Sequence, residues 1–231
     1  MSKLQSKFIY KCKEMGKGWG MMRKIIEQSN KNLTESLAYH MDINTIPVGI
    51  SARHVHLSLD HIDILFGKGY QLRIHKELSQ PGQFAAKESV MIAGPKGTID
   101  KVRILGPARC TTQVEVSLTD AHRLGISPPI RDSGDLAGSS PITIIGPKGS
   151  IYLKEGAIIA SRHIHMSEED ARQFQVHDRE KVHVVSQTKR GVIFSDVKIR
   201  VSADYRLEFH IDTDEANAAG LTNQDRVWIL K

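Results

Sequence analysis

The stretch ISARHVHLS at residues 50–58 returns as ASRHIHMS at residues 160–167. Both copies read Arg-His-apolar-His-apolar-Ser, and both place alternating apolar residues where a strand would put them. Successive side chains of a strand point to opposite faces, so His54 and His56 share one side, as do His163 and His165. Two imidazoles at that spacing on a slightly curved strand converge on one point and suit the grip of a single metal ion. An isolated pair would pass for half-exposed strand histidines; the shared Arg before and Ser after each pair set these two apart.

Each pair runs into a short helix signature, SLDHIDILFG from Ser58 and SEEDARQF from Ser167, and the same signature opens TDAHRLG at Thr119 and TDEANAAG at Thr213. All four begin with a hydroxyl residue suited to an N-cap, and three meet a glycine near the end. A lone candidate ligand precedes the other two helices: Glu115 four residues before Thr119, and His210 three before Thr213. In TTQVEVSL, Val114, Val116 and Leu118 take one strand face and leave Gln113, Glu115 and Ser117 on the other. In RLEFHIDT, Leu207, Phe209 and Ile211 point inward and leave Glu208, His210 and Asp212 on the polar face. The spacing predicts one strand-helix-strand unit used four times. It groups the ligands into two half-sites: His54, His56 and Glu115; and His163, His165 and His210. The remaining histidines lack that context and read as surface or packing residues.

Length and composition allow one large domain or two small ones: 231 residues, 40% of them apolar. The apolar runs are short, such as ITII at 142–145, so neither a membrane span nor a secretory signal is expected. Cys12 and Cys110 form no CxxC, which predicts an intracellular chain whose metals are held by histidine and carboxylate. The net charge is +6, but residues 1–46 carry 8 Lys/Arg against 4 Asp/Glu and so hold most of the excess. With 6% aromatic residues, a nucleic-acid platform is not expected.

Residues 1–46 differ from the rest. Leu4, Phe8, Met15 and Trp19 share one helical stripe, and after GKGWG at 16–20 Met22, Ile26, Leu33 and Leu37 share another. Two short amphipathic helices are predicted, able to dock on a partner. From Pro47 onward, alternating strands punctuated by Gly and Pro, such as GPKGTIDKVRILGPAR from 94 and PITIIGPKGSIYL from 141, predict a mainly β fold of small barrels with short capping helices.

Three protein ligands leave a metal with an open position, as in catalytic rather than structural zinc sites. Arg109, in ILGPARCTTQVEV, is placed to clamp a phosphate or carboxylate with its fork of donors. Arg53 and Arg162 precede the histidine pairs and Arg200 lies on a late strand. These three, with Ser133 in the anion-nest-like loop RDSGD at 131–135, are candidate contacts to an anionic substrate.

PVGISARHVHLS, VRILGPARCTTQVEVSLTDAHRLGI and ASRHIHMSEEDA resemble the PduL-type phosphate propanoyltransferases, phosphotransacylases associated with bacterial microcompartments. The resemblance covers residues 47–231. It implies a two-zinc site on His54, His56, Glu115, His163, His165 and His210, with Arg109 binding phosphate and coenzyme A as substrate or product. It implies two small β-barrels, the first from 47–86 plus 157–231 and the second from 87–156. It further implies interconversion of acyl-CoA (propionyl-CoA above all) and phosphate with acyl phosphate and CoA, the latter leaving as a zinc-stabilised thiolate. By the same resemblance, residues 1–46 serve as an encapsulation segment for shell or cargo proteins, and the chain works inside a microcompartment of the bacterial cytoplasm. Short strands and small barrels suit subunit pairing, so self-association is expected. The residues by themselves also accommodate a zinc hydrolase, with water in place of phosphate, or a metal-stabilised assembly module.

Overall fold

A computed structural model describes residues 44–230, so the two helices expected in the N-terminal extension lie outside the described residues. The fold is mainly β, with two closed six-stranded barrels. One, the terminal barrel, joins β1 (Ile46–Ser51), β13 (Glu208–Asp212), β10 (His163–Met166), β12 (Ile193–Val201), β11 (Lys181–Ser186) and β14 (Arg226–Leu230), with β14 returning to β1. The other, the central barrel, joins β2 (His54–His56), β5 (Thr98–Gly106), β4 (Phe84–Ala93), β8 (Ser140–Ile145), β9 (Ser150–Ala160) and β6 (Gln113–Glu115), with β6 returning to β2. Two short strands, β3 (Ile74–Glu77) and β7 (Ile130–Arg131), add to β4 and β9.

The barrels have the same pairing scheme. β2 runs parallel to β5 and antiparallel to β6, as β10 does to β12 and β13. β6 then runs parallel to β9, as β13 does to β1. Internal repetition in the sequence therefore reflects repetition in the backbone.

The division between the barrels differs from the one expected. Residues 47–86 do not stay with the terminal barrel: the chain leaves it after β1, crosses at Ala52-Arg53 and enters the central barrel at β2. It crosses back at Ser161-Arg162, from β9 into β10. Nothing local marks these crossings, because partner choice for a three- or four-residue strand is made by distant strands rather than by its own residues. Each histidine pair is thus the first strand after a crossing.

Among the described residues four short helices cap the barrels: α1 (Leu59–Phe66), α2 (Leu118–Leu124), α3 (Glu168–Phe174) and α4 (Thr213–Ala219). Two caps shift from their expected positions. Ser117, not Thr119, caps α2, and Asp212, not Thr213, caps α4; each pairs with an N3 acid, Asp120 or Glu215, in a capping box. A hydroxyl or carboxylate two residues or one residue earlier wins because its acceptor reaches the N3 amide while its own backbone is still extended. Leu118 is consequently the first helical residue and is exposed, rather than the last inward residue of its strand.

The turns 94-GPKG-97 and 146-GPKG-149 explain how two of these helices are tied down. The amides of Lys96 and Lys148 donate to the carbonyls of Leu124 and Leu65, each at 3.0 Å, satisfying last-turn acceptors of α2 and α1. A side-chain carbon at Gly97 or Gly149 would come within 2.9 Å of the Arg123 carbonyl or 2.8 Å of the Ile64 carbonyl, so the close approach requires glycine.

Each barrel has its own apolar core. Val55, Ile104, Val114 and Ile144 lie in the central one, and Ile164, Val184, Ile199 and Phe209 in the terminal one. Hydrogen bonds and ion pairs join the two: Thr119 N donates to Asp214 Oδ2 at 2.8 Å, and Lys198 on β12 pairs with Asp132 in the loop after β7.

The buried Glu88 carboxylate on β4 tests this core. Burial favours its neutral form, but the Arg73 side chain at 2.7 Å, the Arg73 amide at 3.0 Å and the Tyr70 hydroxyl at 2.8 Å outweigh it and bring its pKa down to about 2. A depressed folded-state pKa contributes stability above the unfolded value and loses it as pH falls through the folded one. Glu88→Gln is expected to cost roughly 1–2 kcal/mol near neutral pH, discounted because Arg73 is solvent-exposed. The difference from wild type in denaturant unfolding should shrink between pH 4.5 and about 2. A pH-independent difference would refute the assignment.

Candidate metal centre

The crossings carry the histidine pairs onto the ladder opposite the single ligands. His54 lies across from Glu115 in the β2/β6 ladder, and His163 across from His210 in the β10/β13 ladder. One ligand atom from each of His54, His56 and Glu115 lies within 4.8 Å of the others, and the same holds for His163, His165 and His210. The two expected half-sites are therefore assembled as groups, one per barrel. His54, Glu115, His163 and His210 border a common cavity between the barrels.

Hydrogen bonds select the nitrogens that face the centre. His54 Nδ1 donates to the Ala52 carbonyl and His163 Nδ1 to the Ser161 carbonyl, each at 2.8 Å, which leaves Nε2 of both rings with its lone pair. His54 Nε2 then stands 3.4 Å from Glu115 Oε2. By contrast, His56 Nδ1 and both nitrogens of His165 are buried without a hydrogen-bond partner. His210 Nε2 is orphaned in the same way. Buried polar atoms are normally paired, so a cluster of imidazoles with unpaired nitrogens fits a metal ion as the missing partner.

Electrostatics agree with that fit. Burial, reinforced by neighbouring His54, brings His56 down to about 3; burial with His210 brings His163 to about 3; burial with His163 brings His165 to about 2. All three rings are neutral near pH 7, the form that binds metal. Burial also disfavours charge on His54, but the Glu115 carboxylate outweighs it and raises its pKa. The same pairing, with help from His56 and Ser133, overcomes the burial of Glu115 and holds it well below the usual carboxylate range.

Arg109 reaches the first group through one hydroxyl. Its Nη1 donates to Ser133 Oγ at 3.0 Å, and Ser133 Oγ donates to Glu115 Oε1 at 2.9 Å. Gln113 Nε2 donates to both, at 2.9 Å to Ser133 and 2.6 Å to Glu115, and its Oε1 accepts from the Gly134 amide. Ser133 is thereby filled by internal bonds, and the 131–135 loop supports Glu115 rather than offering an anion nest, because its amide at 134 is already used. Arg53 pairs with Asp120 at 2.9 Å, and Arg162 pairs with Glu215 at 3.1 Å while lying over the Phe194 ring. These two arginines have structural partners on the acids at the starts of α2 and α4. Arg200 instead stands across the ladder from His165, and its charge is felt by Arg109, His163 and His165.

Four further residues belong to the site. Gln113 and Glu208 occupy the place in their units that His54 and His163 hold in theirs, four residues before the helix cap. The signal was in the sequence, but became legible only once the caps stood at Ser117 and Asp212. Tyr205 stacks on His165 at 4.1 Å, and Gln80 is buried against Glu208; neither had a local signature.

A family model described as phosphate propanoyltransferase matches residues 47–222. A protein of Thermotoga maritima named phosphate propanoyltransferase is 57% identical over 187 residues, which cover 80% of this chain and 89% of the relative. Proteins of the same name from Priestia megaterium and Lachnoclostridium phytofermentans are 50% and 55% identical, over 89% and 80% of this chain and 91% and 87% of their own lengths. With the match spanning both ligand groups and most of both barrels, the chain belongs to the phosphate propanoyltransferase family and is an acyltransferase.

Proposed function

We propose that the chain transfers an acyl group between coenzyme A and phosphate, with propionyl-CoA as the principal acyl donor, at a site holding two zinc ions. The observation that carries this reading is the pair of three-donor groups bordering one cavity, with orphaned ring nitrogens in both. His54, His56 and Glu115 would hold one ion, and His163, His165 and His210 the other. When bound, zinc supplies Lewis acidity toward a thioester carbonyl and a soft partner for sulfur.

The chain's own residues bind and orient the substrates. Arg109, braced by Ser133, offers its remaining guanidinium donors to phosphate, and Arg200 adds a second positive charge on the same side. A phosphate oxygen attacks the acyl carbonyl, the carbon–sulfur bond breaks, and the electron pair leaves with CoA as thiolate. The attacking phosphate is already anionic, so no general base is assigned. The reverse reaction uses the same contacts.

Metal analysis with a thiol-release assay on propionyl-CoA and acetyl-CoA tests this reading. The expected result is two metals per chain and thiol release that requires phosphate; zero or one metal would refute the two-centre site. Equal release without phosphate would identify a hydrolase.

Residues 1–46 are proposed to carry the chain into a bacterial microcompartment by binding shell or cargo proteins. The support is their paired amphipathic stripes and their share of the basic charge. Deleting them is expected to preserve activity in vitro while abolishing co-assembly with shell proteins; retained encapsulation would sink the idea. Self-association of the chain belongs to the same reading, supported by exposed apolar side chains such as Ile130 and Tyr152. A monomer by sedimentation would exclude it.

A further inference from the structure

The two ladders differ in where they keep their carboxylate. Opposite His54 and His56 stand Glu115 and Gln113; opposite His163 and His165 stand His210 and Glu208. Glu115 is a member of its ligand group, whereas Glu208 is not a member of the histidine group. Its Oε2 lies instead 2.9 Å from His210 Nε2, without the angle of a hydrogen bond among the described residues.

This carboxylate has a constructed seat. The Ser79 hydroxyl and the Gln80 amide, the latter at 3.2 Å, donate to the same Oε2. Gln80 is 3% exposed and is itself clamped on the Arg206 backbone, donating to its carbonyl at 3.0 Å and accepting from its amide at 3.2 Å. On the neighbouring strand a side-chain carbon at Gly49 would come within 2.7 Å of Glu208 Cδ, so glycine leaves the room that the carboxyl group fills. Donors from the β3–β4 turn of the central barrel thus fix a carboxylate of the terminal one.

An imidazole has two nitrogens; with His210 Nε2 lying 2.9 Å from Glu208 Oε2, coordination through Nδ1 would give both a partner. Metal-ligating histidines gain orientation and basicity when their second nitrogen faces a carboxylate. His54 and His163 have only backbone carbonyls there. The asymmetry has a use: three neutral imidazoles leave a bound dication uncompensated, while His54, His56 and Glu115 neutralise half of its charge.

Building on the two-metal reading above, we infer that Glu208 is the positioning residue of the all-histidine centre. It sets the tautomer and orientation of His210, and it supplies from behind that ring the negative charge that Glu115 supplies directly to the other centre.

The full-length chain, stripped of metal and titrated with zinc against a chromophoric chelator, tests this. Wild type is expected to take up two equivalents. Glu208→Gln should weaken one of them by roughly 10- to 100-fold and leave the other at its wild-type affinity. In a His56→Ala background, which isolates the all-histidine centre, the loss is read directly. Ser79→Ala and Gln80→Ala, which alter neither ladder nor ligand, should move the same equivalent the same way by a smaller factor. Two equivalents at wild-type affinity in Glu208→Gln overturn the inference. So does equal weakening of both with a lowered melting temperature of the metal-free chain, which marks a packing role. A wild-type chain that takes up fewer than two equivalents overturns the two-metal reading itself, and this inference with it.

Discussion

Glu115→Ala is expected to lose one of two bound metal equivalents and to lower turnover by roughly 10³-fold, the scale seen when a principal electrostatic element is removed from a site. The side chain holds three neighbours at once: it faces His54 Nε2 at 3.4 Å, accepts from Ser133 at 2.9 Å and accepts from Gln113 at 2.6 Å. Its loss therefore removes a ligand and also frees the hydroxyl that braces Arg109, so the KM for phosphate should rise together with the fall in kcat. His165→Ala makes the comparison. It should remove the other metal equivalent with a similar fall in kcat, but without the rise in KM for phosphate, because His165 has no bond to the Ser133 network. Losses in the double variant should fall well short of the product of the two, since groups acting on one reaction fail together. Metal content by elemental analysis and steady-state kinetics measure both. A Glu115→Ala protein with two metals and near-normal turnover would remove Glu115 from the site.

Arg109→Ala is expected to reduce kcat/KM for phosphate by roughly 10³-fold, about 4 kcal/mol at 1.36 kcal/mol per decade. Two bound metals and an unchanged KM for acyl-CoA should remain. The guanidinium is partly buried, and burial lowers its pKa while Glu115 opposes that shift; it stays charged because no protein environment readily deprotonates arginine. Arg109→Lys should recover only part of the loss, because an ammonium supplies the charge but not the planar pair of donors. Full recovery by lysine would mean that charge alone matters. An unchanged phosphate dependence in Arg109→Ala would transfer the role to Arg200.

The repeated Arg-His-apolar-His-apolar-Ser phrase carried most of what was legible in advance. Histidines two apart on a strand share a face whatever the strand later pairs with, and an N-cap followed by acids starts a helix from local hydrogen bonding alone. That is why the six candidate ligands that come together as two groups, the four helices and the β-barrel class are legible from spacing and resemblance. Where the structure departs from expectation, the competing choices are nearly equal locally. Ser117 and Thr119 both offer a hydroxyl before TDAHRLG, and Asp212 competes with Thr213; the capping boxes with Asp120 and Glu215 decide between them. With those caps in place the last ligand stands two residues before the cap in all four units, a cleaner repeat than the unaided sequence showed.

Arg53 and Arg162 show the opposite limit. Each closes an ion pair with an acid that lies 67 or 53 residues away in sequence, a pairing that no local pattern announces. Glu208 and Gln80 are joined across 128 residues in the same way.

By itself, then, the sequence determined the two candidate ligand sets, the local strands and helices and the family, because these depend on side-chain identity and on spacing within a few residues. Only the tertiary structure decided that the chain crosses between barrels just before each histidine pair, so that one ligand group is built in each barrel and both face one cavity. The physical reason is that β pairing is non-local. A strand as short as β2 carries its face pattern within itself, but its partners are chosen by the hydrogen bonds and packing of β5 and β6, whose residues lie about fifty and sixty positions further along the chain.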